Sequence, residues 1–205
     1  MKKHLTVAFL GFSILYLASL SYPNSLSWLL KIIPIGVLAL AVIKHSNQTA
    51  KPFLLLALAF SATGDTLLEL DLFIAGIAAF LLAQLSYATL FVRHWQGLAH
   101  RWPMSSALII YVFVMAFWLW PNLGDMQIPV LAYLIAIAFM GLMAIQSHYP
   151  VRWAVLGALV FISSDSLIAI DRFIHPIPLR SYWIMITYYA AQWMLIAGCL
   201  RRTDR

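Results

Sequence analysis

The chain has 205 residues, of which 63% are hydrophobic and 10% charged, with a mean hydropathy of +0.89. A soluble domain carries roughly 45–50% apolar residues, so this composition excludes an ordinary water-soluble fold and calls for a bilayer as solvent. The net charge of +6 reads as a signal of membrane topology and not as a nucleic-acid surface, because the basic residues gather on one side of the apolar runs.

Only a helix or a closed barrel satisfies its own backbone without water, so each apolar run of about 20 residues reads as a transmembrane helix. Eight runs qualify: 4–20, 26–43, 52–70, 73–92, 105–120, 128–146, 151–170 and 182–200. The first follows "MKKH" and leads into "SLS" at 19–21, a start that also suits a cleaved secretory signal and would leave seven spans. Retention is preferred, since an even count puts both basic termini on the same side. The second span carries Lys31 and, in "KIIPIG", Pro34, whose ring frees a backbone carbonyl that something must satisfy. Asp65 lies late in the third span, and Gln84 and Tyr87 share a face of the fourth. Breakers at 21–25, 121–129 and 175–178 separate later elements, Asp165 lies late in the seventh span, and Tyr188 and Gln192 share a face of the eighth.

With a cytoplasmic N-terminus, the inner side receives Lys2, Lys3, Lys44, Lys51, Arg93, Arg101, Arg152, Arg201, Arg202 and Arg205. The outer side keeps only Arg172 and Arg180 among the cations, beside Glu69, Asp71, Asp125 and Asp171. Tryptophans at both sets of helix ends agree with this placement. A multi-pass protein of a cell membrane is expected, and the short basic start suits a bacterial inner membrane. The lone Cys199 excludes an intrachain disulfide.

The chain also resembles itself. Gly64-Asp65-Thr66-Leu67-Leu68 matches Ser164-Asp165-Ser166-Leu167-Ile168, Asp71-Leu72-Phe73 matches Asp171-Arg172-Phe173, and Ala83-Gln84 matches Ala191-Gln192. The expected fold is therefore all-α: one membrane domain of two parallel four-helix repeats, about 1–95 and 103–205, with both termini cytoplasmic. Matching helices then bring Asp65 and Asp165 to similar depth in one wet cavity, because an acidic side chain at a helix centre costs about 2.5–3.5 kcal/mol in lipid. Lys31 reads equally as a salt-bridge partner that keeps an Asp ionised and as a catalytic or headgroup-binding group. Gln84, Tyr87, Tyr188 and Gln192, each ordinary interhelical glue when taken singly, together with two Asp read as a site.

The segments "LAFSATGDTLL", "FLLAQLSYATLF", "GALVFISSDSLIAI" and "YYAAQWMLIAG", with "KIIP" in the second span, resemble the YhhN family of membrane proteins, which includes the animal transmembrane lysoplasmalogenases. Several family members carry His where Gln84 or Gln192 stands here. The resemblance implies hydrolysis of the vinyl ether of a lysoplasmalogen to a fatty aldehyde and a glycerophospho-base, with Asp65 and Asp165 at the family's paired acidic positions. That reaction needs a proton delivered to the β-carbon and water delivered to the resulting oxocarbenium-like ion. A close pair of buried carboxyls holds one proton between them, as in glycosidases. Asp165 is expected as the acid and Asp65 as the partner steadied by Lys31. A lysophospholipid and the surrounding lipid are the expected partners; a phosphate headgroup would meet Arg172 and Arg180, unless Arg172 pairs with Asp171.

Nothing in the sequence asks for a cofactor or a metal: no G-x-S-x-G, H-E-x-x-H, C-x-x-C or Gly-rich phosphate loop occurs, and the six His lie near helix ends or in connections. "ATGD" is similar to the G-x-G-D of intramembrane aspartyl proteases but lacks the first glycine. The rival reading is a proton-coupled carrier, which also uses repeats, intramembrane acids and a proline-bearing helix. Oligomeric state is not legible in the letters.

Overall fold

The structure, a computed structural model, describes residues 2–22 and 26–201. Pro23, Asn24 and Ser25 of the first connection, and Met1, Arg202 and Arg205, lie outside the described residues. Each expected span is a helix: α1 (Lys3–Ser19), α2 (Ser27–His45), α3 (Lys51–Glu69), α4 (Phe73–Val92), α5 (Trp102–Leu119), α6 (Gln127–Ile145), α7 (Leu156–Phe173) and α8 (Arg180–Arg201). Two 3-10 turns, Trp120–Asn122 and Gly124–Met126, join α5 to α6, and a π-helical turn, Val151–Val155, leads into α7. Seven helices, α2 to α8, are long and apolar enough to cross a membrane, whereas α1 is a shorter apolar helix of 17 residues. At 1.5 Å per residue α1 reaches about 25 Å, short of a hydrocarbon layer of about 30 Å.

Contacts between helix ends define the two ends of the bundle. At the upper end Ser21 meets Tyr182, Ser27 meets Glu69, and the Phe73 and Phe173 rings pack edge to face. At the lower end Arg93 lies over Phe53, Arg201 over Trp153, and Trp95 bridges to Ser147. Helices consecutive in the chain therefore run antiparallel, whereas α2 and α8, like α4 and α6, point the same way, and α1 begins at the end where α8 finishes. Side by side lie α1 and α2, α2 and α3, α3 and α4, α4 and α6, and α7 and α8, while α2 also touches α8 and α6 touches α7. One apolar core draws on all eight helices, from Leu5 and Phe9 on α1 to Leu195 and Leu200 on α8.

The two matched Asp-x-Phe turns are built differently. Asp71 takes a left-handed conformation (φ 59°), which Asp tolerates better than most residues. The chain there closes a Schellman motif, with Leu72 N donating to the Leu67 carbonyl at 2.9 Å and Asp71 N to the Leu68 carbonyl at 3.2 Å. Its counterpart Asp171 stays inside α7, where its carboxylate accepts from Ile177 N at 2.9 Å and from Arg180 at 2.6 Å and so ties down the α7–α8 connection. At the lower end, Arg101 enters α5 with φ 52° and donates to the carbonyls of Ile145, Ser147 and Tyr149. It thereby satisfies acceptors at the C-terminus of α6 that the helix cannot serve itself.

α8 approaches the start of α7 so closely that a Cβ on Gly198 would lie 2.5 Å from the Ala154 backbone nitrogen. Gly198→Ala should thus cost about 1–3 kcal/mol, whereas Gly11→Ala, with nothing within 4 Å, should be neutral or stabilising. Thermal unfolding of the two variants in detergent separates these outcomes.

Candidate active site

Asp65 and Asp165 both lie inside the bundle but in different surroundings. Asp65, on α3, is buried at 3% exposure. Its Oδ2 accepts from the Tyr188 hydroxyl at 2.7 Å, and its Oδ1 stands 3.9 Å from Lys31 Nζ. Lys31 is nearer to Glu69, at 3.2 Å, whose other oxygen takes the Ser27 hydroxyl at 2.7 Å. Glu69 lies four residues after Asp65, so helical spacing puts both carboxylates on the side of α3 that faces α2. One ammonium serves two carboxylates. The closer partner of Lys31 is therefore Glu69, which the sequence presents only as a charge at an outer turn. Beside Lys31, the Tyr189 hydroxyl donates to its carbonyl at 2.8 Å, next to the Leu30 carbonyl that Pro34 cannot serve.

The polar residues of α4 and α8 extend this cluster. Gln192 Oε1 accepts from the Tyr87 hydroxyl at 2.7 Å, while its Nε2 donates to Ser61 Oγ at 2.9 Å and to the Tyr188 hydroxyl at 3.3 Å. Gln192, Tyr87 and Ser61 are fully buried. The cost of desolvating them is offset because each of these groups has a partner.

Asp165, on α7, belongs to a second polar group. Its Oδ2 accepts a hydrogen bond from the Tyr133 hydroxyl of α6, and Gln84 Nε2 of α4 donates to that hydroxyl at 3.4 Å. Asp165, Tyr133, Tyr111 and Ser166 are the polar side chains of a slender cavity of about 60 Å³, walled otherwise by apolar residues such as Phe73, Phe80, Leu119 and Phe173. Tyr111 donates to Ser166 at 2.7 Å across it. From Phe173 down to Ile162 the cavity follows twelve residues of α7, or about 16 Å at the helical rise. Tyr111 and Ile162 also line an adjoining groove between α5 and α7 that reaches Met104 and Leu159.

The cavity reaches Asp165 but not Asp65, so the expected common pocket is half met. Aromatic packing links the two sides: Phe80, which lines the cavity, packs edge to face with Phe161 and with Tyr188, whose hydroxyl reaches Asp65, the three centroids lying 5.6–6.3 Å apart. Gly64 makes room for this packing, since a Cβ there would lie 2.6 Å from the Phe80 ring. No hydrogen bond joins the two carboxylates among the described residues.

The two outer arginines separate. Arg180 is bound to Asp171 at 2.6 Å and borders a different cleft, with Leu20, Ile177 and Tyr182. Asp171 is thus paired with Arg180 and not with Arg172, because the α7–α8 turn carries Arg180 back over it. Arg172 instead lies over the ring of Phe73, 3.8 Å from its centroid, and that ring lines the cavity toward the upper end of the bundle. Tyr133 and Glu69 are the site residues that the sequence reading does not single out. The spacing of Glu69 from Asp65 was visible on a helical wheel, and Tyr133 is the single polar side chain in the run "VLAYLIAIAF".

The chain matches the YhhN family over residues 26–199. It is 34% identical over 175 residues to a protein of Mycobacterium tuberculosis named lysoplasmalogenase, covering 79% of this chain and 66% of that protein. Bovine lysoplasmalogenase TMEM86A is 35% identical over 202 residues, covering 90% of this chain and 81% of the bovine protein, and human lysoplasmalogenase TMEM86B is 34% identical over 189 residues, covering 87% and 78%. The match thus spans just under two thirds of the mycobacterial relative's length. No solved structure matches the chain.

Removing Lys31 would leave Asp65 and Glu69 together without a cation, and breaking a buried pair costs about 3–5 kcal/mol. Glu69 keeps 27% exposure, so Lys31→Met should fall at the lower end of that range, about 3 kcal/mol, and Tyr188→Phe at about 1.5–3 kcal/mol. Denaturant unfolding in detergent measures both; a Lys31→Met protein as stable as wild type would contradict the shared-cation reading.

Proposed function

Because the chain belongs to the YhhN family, we propose that it is a membrane-embedded hydrolase that cleaves the vinyl ether of lysoplasmalogens, releasing a fatty aldehyde and a glycerophospho-base. The observation that carries this reading is Asp165, a half-buried carboxyl with no cation beside it, set in the wall of a slender apolar cavity. The lysoplasmalogenase names of its relatives support the same substrate class.

The placement of charge assigns the roles. Lys31 stands beside Asp65 and Glu69, and among the described residues Asp165 has no cation within ion-pair distance. Lys31 and the Tyr188 hydroxyl both favour an ionised Asp65, while Asp165 has only hydrogen-bonding neighbours. Asp165 is therefore the group that holds the proton and delivers it to the β-carbon of the vinyl ether. Asp65, outside the cavity lining, contributes negative charge near the oxocarbenium-like ion that follows. The alkyl chain lies along the groove between α5 and α7 that continues the cavity. The phosphate sits toward the upper end near Arg172, since Arg180 is already engaged by Asp171.

The surrounding architecture is one membrane domain of two four-helix halves in the same orientation, with both termini cytoplasmic in a cell membrane. Residues at matching positions touch across it, Phe73 against Phe173 and Phe80 against Tyr188. The packing of α2 on α8 is likewise echoed by that of α6 on α4. Basic residues, among them Lys44, Lys51, Arg93, Arg101 and Arg152, border the lower end, as the positive-inside rule requires of a cytoplasmic face.

Purified protein incubated with lysoplasmalogen should release aldehyde, whereas a carrier would bind without releasing any. Asp165→Asn and Asp65→Asn should each lower release by at least about 100-fold while eluting from detergent columns as wild type does, and full activity in both variants would refute the paired-carboxyl mechanism. Arg172→Ala should raise KM more than it lowers kcat, and Arg180→Ala should leave KM unchanged; the opposite pattern would move the headgroup to the Arg180 cleft.

A further inference from the structure

The two glutamines that match in sequence are not equally satisfied. Gln192 uses both ends of its carboxamide, accepting from Tyr87 and donating to Ser61 and Tyr188. Gln84 is just as buried, at 0% exposure, yet it makes one long bond, to Tyr133, and among the described residues its Oε1 has no hydrogen-bond partner. Exchanging the oxygen and nitrogen of the amide would move the orphan to the nitrogen without removing it. A buried, unpartnered polar atom is costly, and in folded proteins such atoms are almost always satisfied, often by an ordered water.

The position of this orphan matters for the chemistry. Gln84 lies one turn along α4 from Phe80, which lines the cavity, and its one partner Tyr133 lines the same cavity and holds Asp165. Asp165 Oδ2 is taken by Tyr133, while Oδ1 accepts no hydrogen bond among the described residues. A buried water needs two to four polar partners, and the Tyr133 hydroxyl and the second Asp165 oxygen, which line the cavity, together with the Gln84 amide bonded to Tyr133 behind them, supply three kinds.

We infer that Gln84, together with Tyr133, seats the water that attacks the substrate, in the cavity beside Asp165. The inference rests on reading the protein as a vinyl ether hydrolase. In the first step the Asp165 O–H bond breaks and a C–H bond forms at the β-carbon, leaving an oxocarbenium ion and a carboxylate. In the second, the seated water forms a C–O bond to the α-carbon and gives a proton back to the Asp165 carboxylate. The hemiacetal then loses its hydroxyl proton as the bond from the α-carbon to the glycerol oxygen breaks, and that oxygen gains a proton, giving aldehyde and alcohol. One water is consumed and Asp165 ends as it began. Gln84 is accordingly a catalytic residue for the second step and has no part in the first.

That separation is what the experiment reads. Gln84→Met keeps the side-chain volume and Gln84→Asn shortens the amide; both are assayed with lysoplasmalogen in D2O, following aldehyde release and the deuterium content of recovered substrate. Loss of the water seat should lower release about 100-fold with KM little changed, while the β-carbon of recovered substrate gains deuterium, because the stranded cation returns to vinyl ether by losing either hydrogen. If release and exchange fall together, Gln84 acts only by positioning Asp165 and the inference is overturned. Wild-type release rates in whichever variant folds also overturn it and leave the hydrolase reading intact. A wild-type protein that forms no aldehyde sinks that reading first, and this inference with it.

Discussion

Lys31 stands between Asp65 and Glu69, and the layout of the remaining polar groups follows from that arrangement. In a medium without water, an ionised carboxylate needs a cation or several hydrogen-bond donors. A single ammonium 3.2 Å from one carboxylate and 3.9 Å from the other serves both. Tyr188, Gln192, Tyr87 and Ser61 complete the shell on the α8 side of Asp65. Asp165 is left with hydroxyl and amide neighbours alone, and it is the one that borders open space.

This asymmetry grows out of halves that resemble each other in sequence. Asp71 and Asp171 match, yet the first shapes a left-handed turn and the second anchors a connection through Arg180. Gln84 and Gln192 match, yet one amide is closed into a network and the other keeps an orphaned atom. Where α2 offers Lys31 to one aspartate, α6 offers Tyr133 to the other. Matched positions thus carry an ion pair on one side and border the cavity on the other.

Aromatic rings link the two polar groups. Phe80 is at once a wall of the cavity and part of the triad that includes Tyr188, the partner of Asp65, and it fits because residue 64 has no side chain. The ion-paired carboxylate is buried outside the lining of the cavity.

The sequence alone determined the solvent, the number and placement of the helices, and the two interior aspartates, because hydrophobic run length and the cost of a charge in lipid are local properties of the chain. Its family membership was legible in the same way, from short motifs around those aspartates. Which aspartate meets the cavity, that Lys31 leans toward Glu69, that Asp171 takes Arg180, and that Tyr133 and Gln84 converge on Asp165 were decided only by tertiary structure. Each depends on how α2, α4, α6 and α8 are rotated and packed, and in so uniformly apolar a sequence the residue pattern leaves those rotations unmarked.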